Sequence, residues 1–191
     1  MGKVNGKPLV AIVGRPNVGK STLVNRLFGE RVAIVDDQPG VTRDRIYLNC
    51  EWCGKEFIVI DTGGIIFEDD GDLNDSVQEQ AWLAIDEADA ILFIVDGQVG
   101  LHPTDQLIAQ ELRQKRKDVI VAVNKIDILE DGPIKSADFY EMGLGDPHPI
   151  SAIHSHHVGD LLDLVTEKLD LNVVVPNDDE DQGPLKIAIV G

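Results

Sequence analysis

Gly14-Arg15-Pro16-Asn17-Val18-Gly19-Lys20-Ser21, with Thr22 after it, is a glycine-framed loop ending in an amine and two hydroxyls. It follows the apolar run LVAIV and opens the amphipathic stretch KSTLVNRLF, the strand-to-helix context that a phosphate-binding loop requires. Glycines let such a backbone wrap a phosphate chain without Cβ clashes, and the loop amides and helix N-terminus supply positive potential. In that arrangement Lys20 reaches the β- and γ-phosphates and Ser21 binds Mg²⁺. A second group, Asp61-Thr62-Gly63-Gly64, follows the apolar FIVI. A carboxylate at that strand end is placed to hold Mg²⁺ through a water. A Gly64 N–H that bonds only to a triphosphate lets the next segment sense hydrolysis. Taken alone, Asp-Thr-Gly-Gly is also an ordinary turn.

A third group, Asn124-Lys125-Ile126-Asp127, follows VIVAV and suits one base. The Asp127 carboxylate can accept from the N1–H and the exocyclic amine of guanine, whereas adenine offers an acceptor at N1 and no 2-amino group. Asn124 is expected to tie this loop to the phosphate loop, and Lys125 to lay its aliphatic stem over the base. Ser151-Ala152, after the short segment 148–150, would complete the pocket through a backbone N–H to the guanine O6. Singly that last signal is weak; its order and spacing are right.

These groups need a scaffold that delivers strand ends to one edge. Leu9–Val13, Phe57–Ile60, Ile91–Val95 and Val119–Val123 are strand-like runs. Helical periodicity falls near Lys20–Phe28, Ser76–Glu87, Pro103–Lys115 and Val158–Leu169, which together predict a parallel sheet covered by helices. Ile46–Trp52 alternates and meets the next strand through a turn at Gly54, predicting an antiparallel hairpin.

The chain has 191 residues, 43% apolar and 27% charged, enough for a sizeable core, and a net charge of −17. That charge argues against a naked nucleic-acid or DNA binder while leaving room for a local basic patch. No run approaches the ~18 apolar residues of a membrane span, and the first ten residues lack a signal core, so a cytoplasmic protein is expected. Cys50 and Cys53 form a lone C-x-x-C without the second pair that a structural zinc needs, and are expected to be reduced side chains. His154, His156 and His157 lack carboxylates at ligand spacing. The acidic residues Glu68, Asp69, Asp70, Asp72 and Asp75 are expected to be solvated or to select a partner. Trp52 and Trp82 are expected to pack. After Leu171 comes the acidic run NVVVPNDDEDQGP, then LKIAIVG, so that AIVG of 11–14 returns at 188–191. This predicts a domain at 8–171, a linker at 172–184 and the start of a second, truncated domain of the same kind at 185–191.

GRPNVGKST, GVTRD, DTGG and NKID together resemble the Der (EngA) family of bacterial tandem-domain ribosome-assembly GTPases, over about residues 8–170 and within the TrmE-Era-EngA-like group. The resemblance implies the three-layer P-loop GTPase fold: a mostly parallel six-stranded sheet, one antiparallel edge hairpin strand, and helices on both faces. It implies that Thr42 of GVTRD completes Mg²⁺ coordination and contacts the γ-phosphate, and that Mg²⁺ is the cofactor, with GTP as substrate and GDP as product. Lys20, Thr42, Gly64 and Asn17 are then the catalytic set. Ile65 stands where many GTPases carry a water-orienting glutamine, so hydrolysis is slow or charge stabilisation comes from elsewhere. Related GTPases with the loop asparagine bind K⁺ there, which makes Asn17 a candidate ligand and K⁺ a candidate activator; Asn17 instead stabilising the loop is the other reading. The large ribosomal subunit or its precursor is the implied partner of a full-length protein, with this piece monomeric. The alternatives are a tRNA-modification GTPase, a ferrous-iron transporter GTPase domain, an adenine-nucleotide kinase, or a GTP-holding interaction module with negligible turnover.

Overall fold

Residues 6–29, 33–35, 46–61 and 82–169 are described in the computed structural model. Strands β1 (Leu9–Val13), β2 (Ala33–Val35), β3 (Ile46–Trp52), β4 (Lys55–Asp61), β5 (Ala90–Asp96), β6 (Asp118–Asn124) and β7 (Pro147–Pro149) form one sheet in the order β2-β3-β4-β1-β5-β6-β7. Helices α1 (Lys20–Gly29), α2 (82–87), α3 (Pro103–Gln114), α4 (Gly132–Ser136) and α5 (Val158–Lys168) join them.

β1 pairs parallel with β4 and β5, β5 with β6, and β6 with β7, whereas β3 runs antiparallel to both neighbours. The expected α/β architecture is present, and the six expected strands gain a seventh. β2 caps the outer side of β3, so the antiparallel strand is not the edge. Three residues carry no readable period, so β2 is visible only where β3 supplies its hydrogen bonds.

Successive residues of β1 point to opposite faces. Leu9, Ala11 and Val13 join Ile85 of α2 with Ile108 and Leu112 of α3, while Val10 and Ile12 join Leu23 and Leu27 of α1 with Leu161 and Val165 of α5. The strand period of two thus makes two cores, one on each face. β5, central to the sheet, is buried along its whole length. Its near-continuous apolar sequence fits a strand covered on both faces.

Two local signals set boundaries. Cys53 and Gly54 both have positive φ, +50° and +73°, the pattern of the tight turn whose twist matches a two-residue hairpin loop. Before α3, the His102 side chain accepts from the Thr104 N–H while Asp105 accepts from the His102 N–H, and Pro103 starts the helix. Residues 129–142 form short helical turns that the sequence pattern did not predict. The helix expected from Ser76 is described only over 82–87. The expected linker at 172–184 and the second-domain start at 185–191 lie outside the described residues.

Candidate functional site

The phosphate loop leaves the C-terminal end of β1 under tight steric control. A Cβ at Gly14 would collide with the Ile94 carbonyl oxygen, and one at Gly19, where φ is +101°, with the Asn124 side-chain amide. Glycine is therefore required at both positions by close approach of backbone and side chain. Lys20, 5% exposed, donates from Nζ to the carbonyls of Gly14 at 2.8 Å and Arg15 at 2.9 Å. Burial pushes its ammonium below the ordinary lysine value, with Asp61 opposing and Arg15 adding to the shift. Val18 packs in the core, Asn17 is exposed, and Ser21 and Thr22 lie exposed on the first turn of α1. Asp61 ends β4 opposite Ile12 of β1, half-buried at the same sheet edge.

Arg15 points away toward α3. Its Nε donates to Asp105 Oδ2 at 3.4 Å, while Arg15 Nη2 and Asp105 Oδ1 are buried without hydrogen-bond partners. Burial raises the Asp105 carboxyl, opposed by Arg15 and by the hydrogen bond from the His102 N–H.

The second wall comes from the ends of β6 and β7. Asn124 is buried; its Nδ2 donates to Val18 O and its Oδ1 accepts from the Ala152 N–H, both at 2.9 Å. The Ala152 N–H, expected at a guanine O6, is thus given to Asn124 here. Lys125, with φ of +68°, donates from Nζ to Asn17 O at 2.7 Å and to Asp96 Oδ2 at 2.6 Å. Asp127 Oδ1 accepts from Ser151 Oγ at 2.7 Å, and Oδ2 from Gln98 Nε2 at 3.4 Å. Both carboxylate oxygens therefore face donors. Gly19, Thr22, Gln98, Asn124, Lys125, Asp127 and Ile153 enclose a cleft of about 220 Å³. The expected residues Gly14–Thr22, Asp61, Asn124, Lys125, Asp127, Ser151 and Ala152 are gathered at one sheet edge; Thr42, Thr62, Gly63 and Gly64 lie outside the described residues.

The sequence reading missed three contributors. Asp96 ends β5 as a carboxylate after an apolar strand, the same signal that picked out Asp61. Gln98 lines the cleft from the turn that follows. Arg26 of α1 donates to the carbonyls of Ala152, at 3.1 Å, and Ile153, clamping the base loop from behind; nothing local marks it.

Other candidates carry structural contacts. His157 Nδ1 lies 2.7 Å from Asp160 Oδ2, and the rings of His154 and His156 stand 5.5 Å apart. Among the described residues, no group of three His, Cys, Asp or Glu is placed to hold a metal ion. Cys50 is buried, its thiol pushed up to about 12 by burial, and Cys53 is exposed in the hairpin turn. Trp52 Nε1 donates to Asp163 at 2.6 Å, and Lys115 lies over Trp82.

The pattern of the 50S ribosome-binding GTPases matches residues 9–125. The chain belongs to that GTPase family. GTPase Der of Nostoc punctiforme is 50% identical over 184 residues, covering 96% of this chain and 40% of that protein. GTPase Der of Synechocystis sp. has the same identity and coverage, so the likeness to the Der family holds. The chain spans about two fifths of the length of these relatives. Among solved structures, Aquifex aeolicus Era bound to GDP and AlF4⁻ matches with TM-score 0.68 and 34% identity, over 84% of this chain and 56% of that one. Era in complex with MgGDPNP and a 16S ribosomal RNA segment matches with TM-score 0.69 and 32% identity, over 94% and 59%. Among the described residues, no helix is long and apolar enough to cross a membrane.

Proposed function

We propose that this chain is a GTP-binding and GTP-hydrolysing switch domain of a bacterial ribosome-assembly factor, working in the cytoplasm. One observation carries the reading: a single cleft joins an acceptor-lined base wall, Asp127, to a phosphate loop through the Asn124–Val18 and Lys125–Asn17 bonds. Guanine presents two adjacent donors to such a carboxylate, and adenine does not. The loop carbonyls already hold the Lys20 ammonium in a buried position beside the glycine cradle, where a β,γ-phosphate chain would replace them as its partner.

The Ser21 hydroxyl and Asp61, acting through a water, are proposed to hold a hard cation at the phosphates, with Thr42 of GVTRD as the further proposed ligand. Bound Mg²⁺ would neutralise charge on the β- and γ-phosphates. Lys20, Thr42, Gly64 and Asn17 are the proposed catalytic set, and Thr62 and Gly63 complete the loop that meets the nucleotide. Because Ile65 has no group to orient water, Asn17 is the proposed K⁺ ligand, and K⁺ bound there would supply charge stabilisation. In a full-length protein the large ribosomal subunit or its precursor is the partner, and the domain itself acts as a monomer at 8–171, followed by a linker and a second GTPase domain.

Single-turnover assays with GTP and ATP, Mg²⁺, and matched KCl or NaCl test this. Hydrolysis of GTP only, faster in KCl, is expected, and Asn17→Ala should abolish the salt preference. Equal turnover of ATP would refute the guanine pocket. Tight GTP binding without turnover in either salt would favour the interaction-module reading that Ile65 suggests.

A further inference from the structure

Asp96 is the last residue of β5, paired in register with Asn124, and is 3% exposed. It does not line the nucleotide cleft. Its Oδ1 accepts from the backbone N–H groups of Gln98 at 2.9 Å and Val99 at 3.2 Å, which holds the carboxylate against the turn after the strand. Its Oδ2 is left to Lys125 Nζ at 2.6 Å, and the same ammonium donates to the Asn17 carbonyl at 2.7 Å. Carboxylate, ammonium and carbonyl thus form one chain from the middle of the sheet to the tip of the phosphate loop.

Both loop residues joined by this chain are left-handed without being glycine: Lys125 has φ of +68° and Asn17 of +65°. Such conformations persist where the surroundings hold them in place. A buried carboxylate demands a cation, and Lys125 supplies it. The demand fixes where the ammonium sits, and hence where the Asn17 carbonyl sits. The same lysine lines the base cleft.

We infer that Asp96 is a positioning residue for the nucleotide site, anchoring Lys125 so that one side chain both lines the base cleft and sets the bend of the phosphate loop at Asn17. This rests on the reading of the cleft as a guanine-nucleotide site, and it adds a coupling between base recognition and phosphate-loop shape. The direction of the Asp96 titration agrees: burial alone would raise its carboxyl, yet Lys125 and the two backbone amides together hold it below the usual range.

The test uses Asp96→Asn, which keeps an oxygen for the Gln98 and Val99 amides and loses the charge that holds Lys125. Affinity for a fluorescent GDP is measured in the parent, Asp96→Asn, Lys125→Met and the double variant. Asp96→Asn should weaken binding about tenfold, and in the Lys125→Met background it should cost nothing further. The ¹³C resonance of the Asn17 carbonyl should move in Asp96→Asn, while the circular-dichroism spectrum stays that of the parent. Losses that multiply in the double variant, or an unmoved Asn17 resonance, would overturn the proposal. Should the parent prefer ATP analogues to GDP, the guanine reading fails instead, while the Asn17 resonance still decides whether Asp96 acts through Lys125.

Discussion

Asn124 shows how much a single buried amide can do. It satisfies a phosphate-loop carbonyl with one end and a base-loop N–H with the other, so the two walls of the cleft share one side chain. Asn124→Ala leaves both partners unpaired, each at about 1–3 kcal/mol, part of which is recovered by water entry. A fall in guanine-nucleotide affinity of about tenfold to a hundredfold is expected from isothermal titration. Gly19→Ala should be harsher, since the new Cβ would strike the same amide and the backbone is left-handed; fluorescent GDP titration is expected to show no binding. Asp96 sets a pH dependence. Its folded carboxyl lies below the usual 3.8, so its contribution is fully present above that value and is lost as pH falls through the folded one. Urea unfolding at stepped pH should show the parent losing more stability than Asp96→Asn below about pH 4.

At the scale of elements, the β3–β4 hairpin puts the two cysteines in different surroundings, one buried and one exposed. Cys53 occupies a left-handed turn position beside Gly54, and Cys50 packs in the core. Asparagine adopts the left-handed region at lower cost than cysteine and is favoured before glycine in this turn. Cys53→Asn is therefore expected to stabilise the protein by about 0.5–1 kcal/mol, read from the denaturation midpoint. A decrease would show that the Cys53 side chain makes a contact the turn geometry does not require. The capping box before α3 follows the same logic, except that Asp105 serves twice: it accepts from the His102 N–H and from Arg15 of the phosphate loop. One carboxylate thereby links the start of α3 to the site.

The described residues form a sheet with a core on each face, and the sheet is where the two cores meet. Phe93 on β5 is fully buried, packed on the face that α2 and α3 cover. Phe93→Ala removes a large side chain from a fully buried site and should cost about 3–5 kcal/mol. In a thermal melt this corresponds to a midpoint lower by roughly 10 °C. A much smaller shift would mean that this core can collapse around the gap. The same sheet explains the gathering of the site: β1, β4, β5, β6 and β7 run parallel, so their C-terminal ends, and the residues that follow, lie at one edge.

The sequence alone determined the strand and helix series, because apolar runs and helical spacing are local, and it identified the loop motifs, because their chemistry depends on residue type at fixed short spacing. Gly14, Lys20, Asn124 and Asp127 were legible in this way. Tertiary structure decided the ties among them. Asn124 to Val18 and Lys125 to Asn17 span 106 and 108 positions, and Arg26 reaches the base loop across 126. No spacing rule covers such distances, since these bonds exist only once parallel strands bring their ends together. β2 and the turns over 129–142 were hidden for a related reason: they are too short to carry a period, and are held by neighbours rather than by their own pattern.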